Sequence, residues 1–359
     1  MKRHIRSAAV RDHGAKLFFL ISSAKIDVSM ACKCDSPASV KQVTSNPMLM
    51  KLLCALFILL AVPVAHAQYT KDNLRTEPVA ENSHGFRNLR LYPVRANHTF
   101  LNHHKSVKGY KSLEESLREN KIAITEVSSG EVNKLYVENV SSDTVIILAG
   151  EVVEGGKQNR VLAKDMIIPP LSGKNDVDVF CVEEGRWSPR KGDMAFKGYY
   201  TISSNEVRKA AAVKKDQRAV WNKVAETTEK NNARSSTSTL TELKNSSGFS
   251  GELEKYIAHF SAFFVNEPDV IGVIAVTGDS VMGCDLFATH ELFAKTYRNL
   301  LNSYATEAIT SGRPVTASYE EVSNYLDAII SDESQQQQRL EKNGTILKQG
   351  ARTIHISSF

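Results

Sequence analysis

The sequence predicts an α+β fold, with an N-terminal, mostly antiparallel β part followed by amphipathic helices, a second β hairpin and a C-terminal strand. Between residues 88 and 193, short alternating or continuously apolar segments are separated by polar turns, which is typical of strands. After Ser203 the apolar residues recur at three- and four-residue spacing, which is typical of helices. Short β patterns return at residues 270–287 and 352–357. Because strands and helices are largely segregated along the chain, a doubly wound sheet is not expected.

The β part is predicted from β-branched residues around polar turns. Residues 135–140 alternate, residues 141–143 form a polar turn, and residues 145–149 are apolar, which together predict a hairpin. Residues 177–182 alternate between two dissimilar faces and predict a further strand. The remaining β segments are expected at residues 89–94 and 122–127, on either side of a helix-like stretch at residues 113–117.

Four amphipathic helices are expected after the β part. The first begins at the capping box of Ser203 and Glu206 and continues to about Glu229. The other three follow the apolar stripes at residues 253–264, 293–308 and 322–330. Residues 233–251 are rich in Ser, Thr and Gly, so we expect a flexible loop between the first two helices.

Residues 50–67 have the three-part layout of a secretory signal peptide. A basic start leads into an apolar run at residues 52–64, and Ala65 and Ala67 supply the small residues that a signal peptidase recognises. The apolar run is shorter than the roughly 20 residues of a membrane-spanning helix, although a membrane anchor is the alternative. The sequence therefore predicts a secreted or periplasmic protein that begins at Gln68 and does not associate with a membrane after cleavage.

These features divide the chain into four parts. Residues 1–49 are a leader or an over-long start, residues 50–67 the signal peptide, residues 68–85 an N-terminal extension, and residues 86–359 a single α+β domain.

The chain that remains after cleavage carries almost no net charge. The full sequence has 45 Lys and Arg residues, nine of them before residue 68, and 40 Asp and Glu residues, three of them before residue 68. The remaining chain therefore has 36 basic and 37 acidic groups. A nearly neutral chain gives no reason to expect nucleic-acid binding.

Of the five cysteines, Cys181 and Cys284 are the two that follow the predicted cleavage site. Two cysteines do not make a disulfide framework, even in an oxidising compartment. Because each lies in an apolar-rich predicted strand, we expect two separate buried thiols. A disulfide between them is the alternative.

Several short motifs fail on their details. Residues 150–157 resemble a phosphate-binding loop, but Gln158 follows the lysine where a Ser or Thr is needed. His290 and Glu291 begin a helix, yet Ala294 stands where a zinc site would need a second histidine. Three further histidines share a polar loop without a carboxylate or thiolate at ligand spacing, namely His98, His103 and His104. The sequence therefore predicts no metal site and no cofactor.

The stretch GEVVEGGKQNRVL, residues 150–162, is the strongest candidate for a functional site. Its glycines predict a hairpin tip, which is followed by four polar residues, Lys157, Gln158, Asn159 and Arg160. Glu151 lies on the opposing arm, and we expect it to face Arg160 or Lys157. A guanidinium can bind an anion through two hydrogen bonds, and the amides can recognise hydroxyl groups or ring edges.

A second polar segment, CVEEGRW at residues 181–187, lies one strand later. Its Glu183, Arg186 and Trp187 are expected to complete the site, with Trp187 stacking on a ligand and Arg186 covering it. If the site is catalytic, Glu151 or Glu183 is the acid/base. The alternative is a polar network that only stabilises the hairpin.

The two stretches GEVVEGGKQNRVL and CVEEGRW together resemble a domain family named for its gene association with ADP-ribosylglycohydrolases and a rhodanese-phosphatase superfamily. The resemblance covers roughly residues 86–309 and includes FRNL at residues 86–89 and CDLFATHELF at residues 284–293. Gly156 departs from the pattern, in which alanine is expected. The resemblance implies a role around ADP-ribose or related nucleotides, and it implies no specific activity.

Two hypotheses of different classes follow. In the first, the protein binds or processes an anionic, nucleotide-like or sugar-phosphate ligand in a pocket built from the eight polar residues of the two segments. In the second, it is a non-catalytic structural or protein-interaction module whose polar hairpin stabilises the fold. An enzymatic role requires the eight side chains to open into one concave pocket. The sequence does not indicate an oligomeric state.

Overall fold

A computed structural model describes residues 69–80, 84–127, 131–189 and 194–359. The predicted leader and signal peptide lie outside the described residues. The described chain has the α+β architecture that the sequence predicts, and the described residues belong to one compact unit. No helix in the described ranges is long and apolar enough to cross a bilayer.

The strands are, in chain order, β1 (Leu74–Thr76), β2 (Gly85–Phe86), β3 (Leu89–Ala96), β4 (Tyr110–Ser112), β5 (Ile122–Glu126), β6 (Lys134–Asn139), β7 (Thr144–Ile147), β8 (Glu151–Gly155), β9 (Arg160–Leu162), β10 (Met166–Ile168), β11 (Lys174–Cys181), β12 (Phe196–Ile202), β13 (Val270–Thr277), β14 (Ser280–Phe287), β15 (Gly344–Gln349) and β16 (Arg352–Ser358).

The helices are α1 (His98–His104), α2 (Leu113–Arg118), α3 (Asn205–Lys209), α4 (Gln217–Lys230), α5 (Ser247–Phe260), α6 (His290–Ser311), α7 (Tyr319–Ile329) and α8 (Glu333–Asn343). A π-helical turn, Ala210–Lys214, continues α3, and a 3-10 helix covers Leu240–Asn245.

A six-stranded antiparallel sheet, in the order β12-β8-β9-β11-β6-β5, curls into a small barrel. Its two edge strands approach each other through a bridge between Thr125 and Ala195, which closes the sheet. Inward-facing residues of these strands, among them Ile124, Val137 and Val179, form one apolar core. The polar hairpin predicted at residues 150–162 is the β8–β9 pair of this barrel.

A seven-stranded antiparallel sheet, in the order β1-β3-β13-β14-β16-β15 with β2 on β3, forms the centre of the rest of the molecule. Helices α5 and α6 pack on one face, and α7 and α8 pack on the other. Strand β13 is therefore almost entirely buried, which explains its unbroken apolar sequence.

The predicted hairpin at residues 135–149 is wrong. Strand β6 pairs with β5 and β11 in the barrel, whereas β7 pairs with β10 and, in parallel, with β4 in a separate three-stranded sheet. The polar turn at residues 141–143 therefore connects two sheets. Local alternation identified both strands, but it could not indicate that each pairs with other strands instead of with its neighbour across the polar turn.

The segment at residues 233–251, expected to be a flexible loop, contains regular structure. The 3-10 helix buries Leu240 and Leu243 against the barrel side of the molecule, and α5 begins at Ser247, six residues before its predicted stripe. The apolar side chains that cover this segment come from distant elements, so a polar composition alone did not indicate the packing.

Candidate functional site

The tip of the β8–β9 hairpin depends on glycine. Gly156 has a φ of 48°, which lies in the left-handed region that residues other than glycine rarely adopt. A Cβ atom there would lie 2.5 Å from the ring of Phe196 and 2.7 Å from Oε1 of Glu126. Alanine, which the family resemblance led us to expect, would have to displace both groups.

Below this tip lies a buried polar cluster, which we call the tip network: Gln158, Asn159, Arg160, Glu183, Arg186 and Glu126. Glu183 accepts hydrogen bonds from the backbone N–H of Asn159 at 3.1 Å and from Nη2 of Arg186 at 2.6 Å. Burial alone raises the pKa of Glu183, but these two donors outweigh burial and hold the pKa below its usual value. Glu183 is therefore a carboxylate held in place, with its proton already lost.

Arg186 connects the tip network to the backbone. Its Nη1 donates to the carbonyl oxygens of Gly156 and Ser188, at 2.6 and 2.9 Å, and its Nη2 also donates to the carbonyl of Gly155 at 3.2 Å. The side chain of Asn159 donates to two threonine hydroxyls, those of Thr239 and Thr241, at 3.1 and 3.2 Å. The network thus fixes the hairpin tip against the segment at residues 233–251.

The expected pair of Arg160 and Glu151 is wrong. Arg160 is fully buried, and its guanidinium donates to the carbonyl of Gln158 at 2.9 Å and to Glu126 at 3.5 Å. Glu126 also accepts from the backbone N–H of Lys157 at 2.9 Å. Glu126 lies at the end of β5, which closes the barrel beside the hairpin. The partner of Arg160 therefore comes from a strand that is distant in the sequence.

Glu151 lies at the base of the hairpin, away from the tip. Its Oε2 accepts from the backbone N–H of Leu148 at 2.7 Å, and its Oε1 accepts from the hydroxyl of Tyr199 at 3.1 Å. Burial, and to a smaller extent the nearby acidic groups Asp165 and Glu114, raise the pKa of Glu151 to about 8. The structure therefore brings Glu183 and the tip residues together and places Glu151 elsewhere.

Two of the eight predicted site residues, Lys157 and Trp187, lie next to each other beside the tip network. The Nζ atom of Lys157 lies 5.4 Å from the ring centroid of Trp187, and Trp187 is 55% exposed. Two clefts, of about 780 and 470 Å³, are lined by other residues: the first by the N-terminal segment, α7 and α8, the second by the ends of α4, α5 and α6.

The sequence analysis missed a second buried cluster, which we call the junction network: Arg208, Asp285, His355 and Asp165. Arg208 donates to Asp285 at 3.0 and 2.8 Å, and His355 contacts Asp165 at 2.8 Å and Asp285 at 3.1 Å. Burial lowers the pKa of His355, but the two carboxylates outweigh it and raise the pKa to about 9. The pKa values of both aspartates are held below their usual range by these cations, against the effect of burial.

The junction network joins the barrel side of the chain to the seven-stranded sheet. Asp165 precedes β10, Arg208 lies on α3, and the other two residues lie on β14 and β16. Gly150 has a φ of 96°, and a Cβ atom on it would lie 2.3 Å from Cγ of Arg208, so this glycine makes room for the arginine. A weak signal did exist in the sequence, since Asp285 is the one charged residue of β14 and His355 lies between two isoleucines of β16, and such groups must be paired when buried.

Both Cys181 and Cys284 are free and buried, as predicted. Burial raises the pKa of each thiol, which makes either a poor nucleophile at neutral pH. Within the described residues, no group of three or more His, Cys, Asp and Glu side chains is arranged to hold a metal ion.

One family model matches the chain, over residues 79–358, and its description is the ARG and Rhodanese-Phosphatase-superfamily-associated Protein domain, ARPP-1. The match extends beyond the resemblance at residues 86–309 and reaches the last strand, β16. No curated protein and no solved structure matches the chain.

Proposed function

The chain belongs to the ARPP-1 domain family. We propose that it is a non-catalytic binding module that acts outside the cytoplasm. Its ligand is a nucleotide-like or sugar-phosphate anion, which contacts Lys157 and Trp187. The single observation that carries this proposal is the exposed ring of Trp187 with an ammonium group 5.4 Å from its centroid.

The burial of both candidate acid/base residues argues against catalysis. Glu151 is 3% exposed and Glu183 is fully buried, and each accepts hydrogen bonds from groups of the chain itself. A general acid or base must reach the proton that it transfers, directly or through one water molecule. The tip network is therefore assigned a structural role, as in the second hypothesis from the sequence.

The exposed Trp187 and the partly buried Lys157 offer the two interactions that such a ligand needs. The face of Trp187 can stack on a planar base or on the apolar face of a sugar, and the ammonium of Lys157 can pair with a phosphate. Arg186 holds the backbone beside both residues through the carbonyls of Gly156 and Ser188, so the backbone needs little further ordering when a ligand binds.

A calorimetric titration with AMP, ribose 5-phosphate and inorganic phosphate tests the proposal. Trp187→Ala should weaken AMP binding about tenfold or more, because stacking of a base on an aromatic ring contributes about 1–3 kcal/mol. Lys157→Gln should weaken binding of all three about fivefold, since one exposed charge contact contributes up to about 1 kcal/mol.

Lys244→Gln is the matched control, because Lys244 is a half-exposed lysine that pairs with Glu154 of the same hairpin at 2.8 Å. It should leave all three affinities unchanged. AMP binding that survives Trp187→Ala would exclude this surface as the site. If none of the three probes binds, the protein-interaction module of the second hypothesis replaces the proposal.

The proposed location has a separate test. Tyr69, the second residue after the predicted cleavage site, is 2% exposed and packs edge-on against Phe100 at 5.1 Å, so cleavage before Gln68 would keep this packed residue in the protein. Mass spectrometry of the protein from the extracytoplasmic fraction should give an N-terminus at Gln68. A chain that begins at Met50 in the cytosol would contradict both the processing and the location.

A further inference from the structure

The short loop at residues 148–150, between β7 and β8, connects the barrel to the junction network. Two acidic side chains hold its backbone: Glu151 accepts from the N–H of Leu148 at 2.7 Å, and Asp165 accepts from the N–H of Ala149 at 2.6 Å. The carbonyl of Ala149 accepts in turn from Nε of Arg208 at 3.3 Å. The loop is therefore the point at which Arg208, and through it the seven-stranded sheet, contacts the barrel.

The charges of the junction network balance without any contribution from Glu151. The junction network contains two cations, Arg208 and protonated His355, and two anions, Asp165 and Asp285. An ionised Glu151 adds a negative charge that has no counterpart in this set. In a fully buried environment an uncompensated charge is strongly unfavourable.

The groups that face Glu151 come from three elements. Tyr199 of β12 donates its hydroxyl hydrogen, while Asp165, in the segment before β10, and Glu114 of α2 act on it as negative charges. The two hydrogen bonds from Leu148 and Tyr199 favour the ionised form, but burial and the two acidic neighbours outweigh them.

We propose that Glu151 is a proton-binding group that controls the loop at residues 148–150: the loop is closed while Glu151 holds its proton, and proton release opens it. Opening removes the hydrogen bond between Ala149 and Arg208 and so loosens the contact between the barrel and the seven-stranded sheet. This role does not depend on the proposed ligand surface at Lys157 and Trp187.

The pH range of the effect follows from linkage. The pKa of Glu151 is raised to about 8 in the closed loop, from 4.5 for an ordinary glutamate. Closure is therefore fully favoured below pH 4.5, and the opening constant rises by up to about tenfold per pH unit until it levels off near pH 8. His355 changes its contribution only between pH 6.5 and about 9, and the two aspartates change theirs only below pH 3.8. The range from about pH 5 to pH 6.5 thus isolates Glu151.

Amide hydrogen exchange of Leu148 and Ala149 in the folded protein tests the proposal. After correction for the intrinsic exchange rate, the opening constant of the wild type should rise about 25-fold from about pH 5 to pH 6.5. Glu151→Gln keeps the acceptor oxygen but cannot ionise, and it should remove this rise.

Glu307→Gln is the matched control. Glu307 is another carboxyl whose pKa burial raises, but it accepts from the backbone N–H of Glu206 on α3 and not from the loop. This variant should keep the rise at Leu148 and Ala149.

A flat wild-type profile, or an equal rise in Glu151→Gln, would overturn the proposal. A direct titration covers the case in which Glu151→Gln does not fold. In wild-type protein with ¹³C-labelled glutamate, the Glu151 carboxyl should titrate with a midpoint near 8. A midpoint below about 6 would also overturn the proposal, because the carboxyl would then be ionised in the closed loop at neutral pH.

Discussion

Arg208 and Asp285 form a bidentate ion pair, with Nη1 to Oδ2 at 3.0 Å and Nη2 to Oδ1 at 2.8 Å, and both side chains are inaccessible to solvent. The parallel hydrogen bonds fix the orientation of α3 relative to β14. Tyr304 of α6 also donates to Asp285 and His355 of β16 contacts it, so side chains from four elements, including β14 itself, meet at one carboxylate. This contact orders the centre of the molecule, and neither residue belongs to the two polar segments that the sequence singles out as the candidate site.

Arg208→Met should reduce the free energy of unfolding by about 3–5 kcal/mol, because it leaves the buried carboxylate of Asp285 without its main cation. Urea denaturation at pH 6 measures the loss. The exposed pair of Arg313 and Asp279, at 2.8 Å, provides the control. Arg313→Met should cost less than about 1 kcal/mol. Similar losses in the two variants would show that burial does not set the energy of the Arg208 pair.

A double-mutant cycle should identify Glu126 as the partner of Arg160. Arg160→Met should cost about 3 kcal/mol, and its effect should depend on Glu126→Gln by more than about 1 kcal/mol. The same cycle with Glu151→Gln should give a coupling below about 0.5 kcal/mol, because Glu151 binds Leu148 and Tyr199 instead. Both couplings come from urea denaturation of the single and double variants. A larger coupling with Glu151 would restore the pairing that the sequence suggested.

The protein should lose stability as the pH rises from 6.5 to 9. The pKa of His355 is raised from 6.5 to about 9, so its stabilising contribution is complete below pH 6.5 and disappears as the pH passes 9. In the background of Glu151→Gln, which removes the titration of Glu151, the free energy of unfolding should fall by up to about 3 kcal/mol over this range. Denaturation curves at half-unit pH steps measure this fall. An increase over the same range would contradict a protonated His355.

Cys181 and Cys284 should react slowly with a thiol reagent in the native state. Both thiols are buried and have raised pKa values, so the reactive thiolate is scarce and inaccessible. After denaturation without a reductant, peptide mass analysis should find both residues labelled. Two unlabelled cysteines under those conditions would indicate a disulfide.

Local sequence patterns determined the class of the fold and several of its details. Alternation and three-to-four-residue spacing predicted the α+β architecture, because each secondary structure places side chains on its faces at a fixed period. The glycine-rich stretch at residues 150–162 was correctly predicted as a hairpin, and the two cysteines as buried thiols. The motif pair in that stretch and at residues 181–187 also indicated the family.

The tertiary structure alone decided which polar groups meet. Glu126, not Glu151, contacts Arg160, because the closure of the barrel brings β5 to the hairpin from more than thirty positions away in the chain. The junction network likewise joins Asp165 to His355 across 190 positions. A local pattern specifies the face on which a side chain lies, whereas its partner and its burial depend on strand pairing between distant segments. Burial and the partner then set the proton affinity, which is why Glu151 differs from Glu183 although both are glutamates of the same polar region.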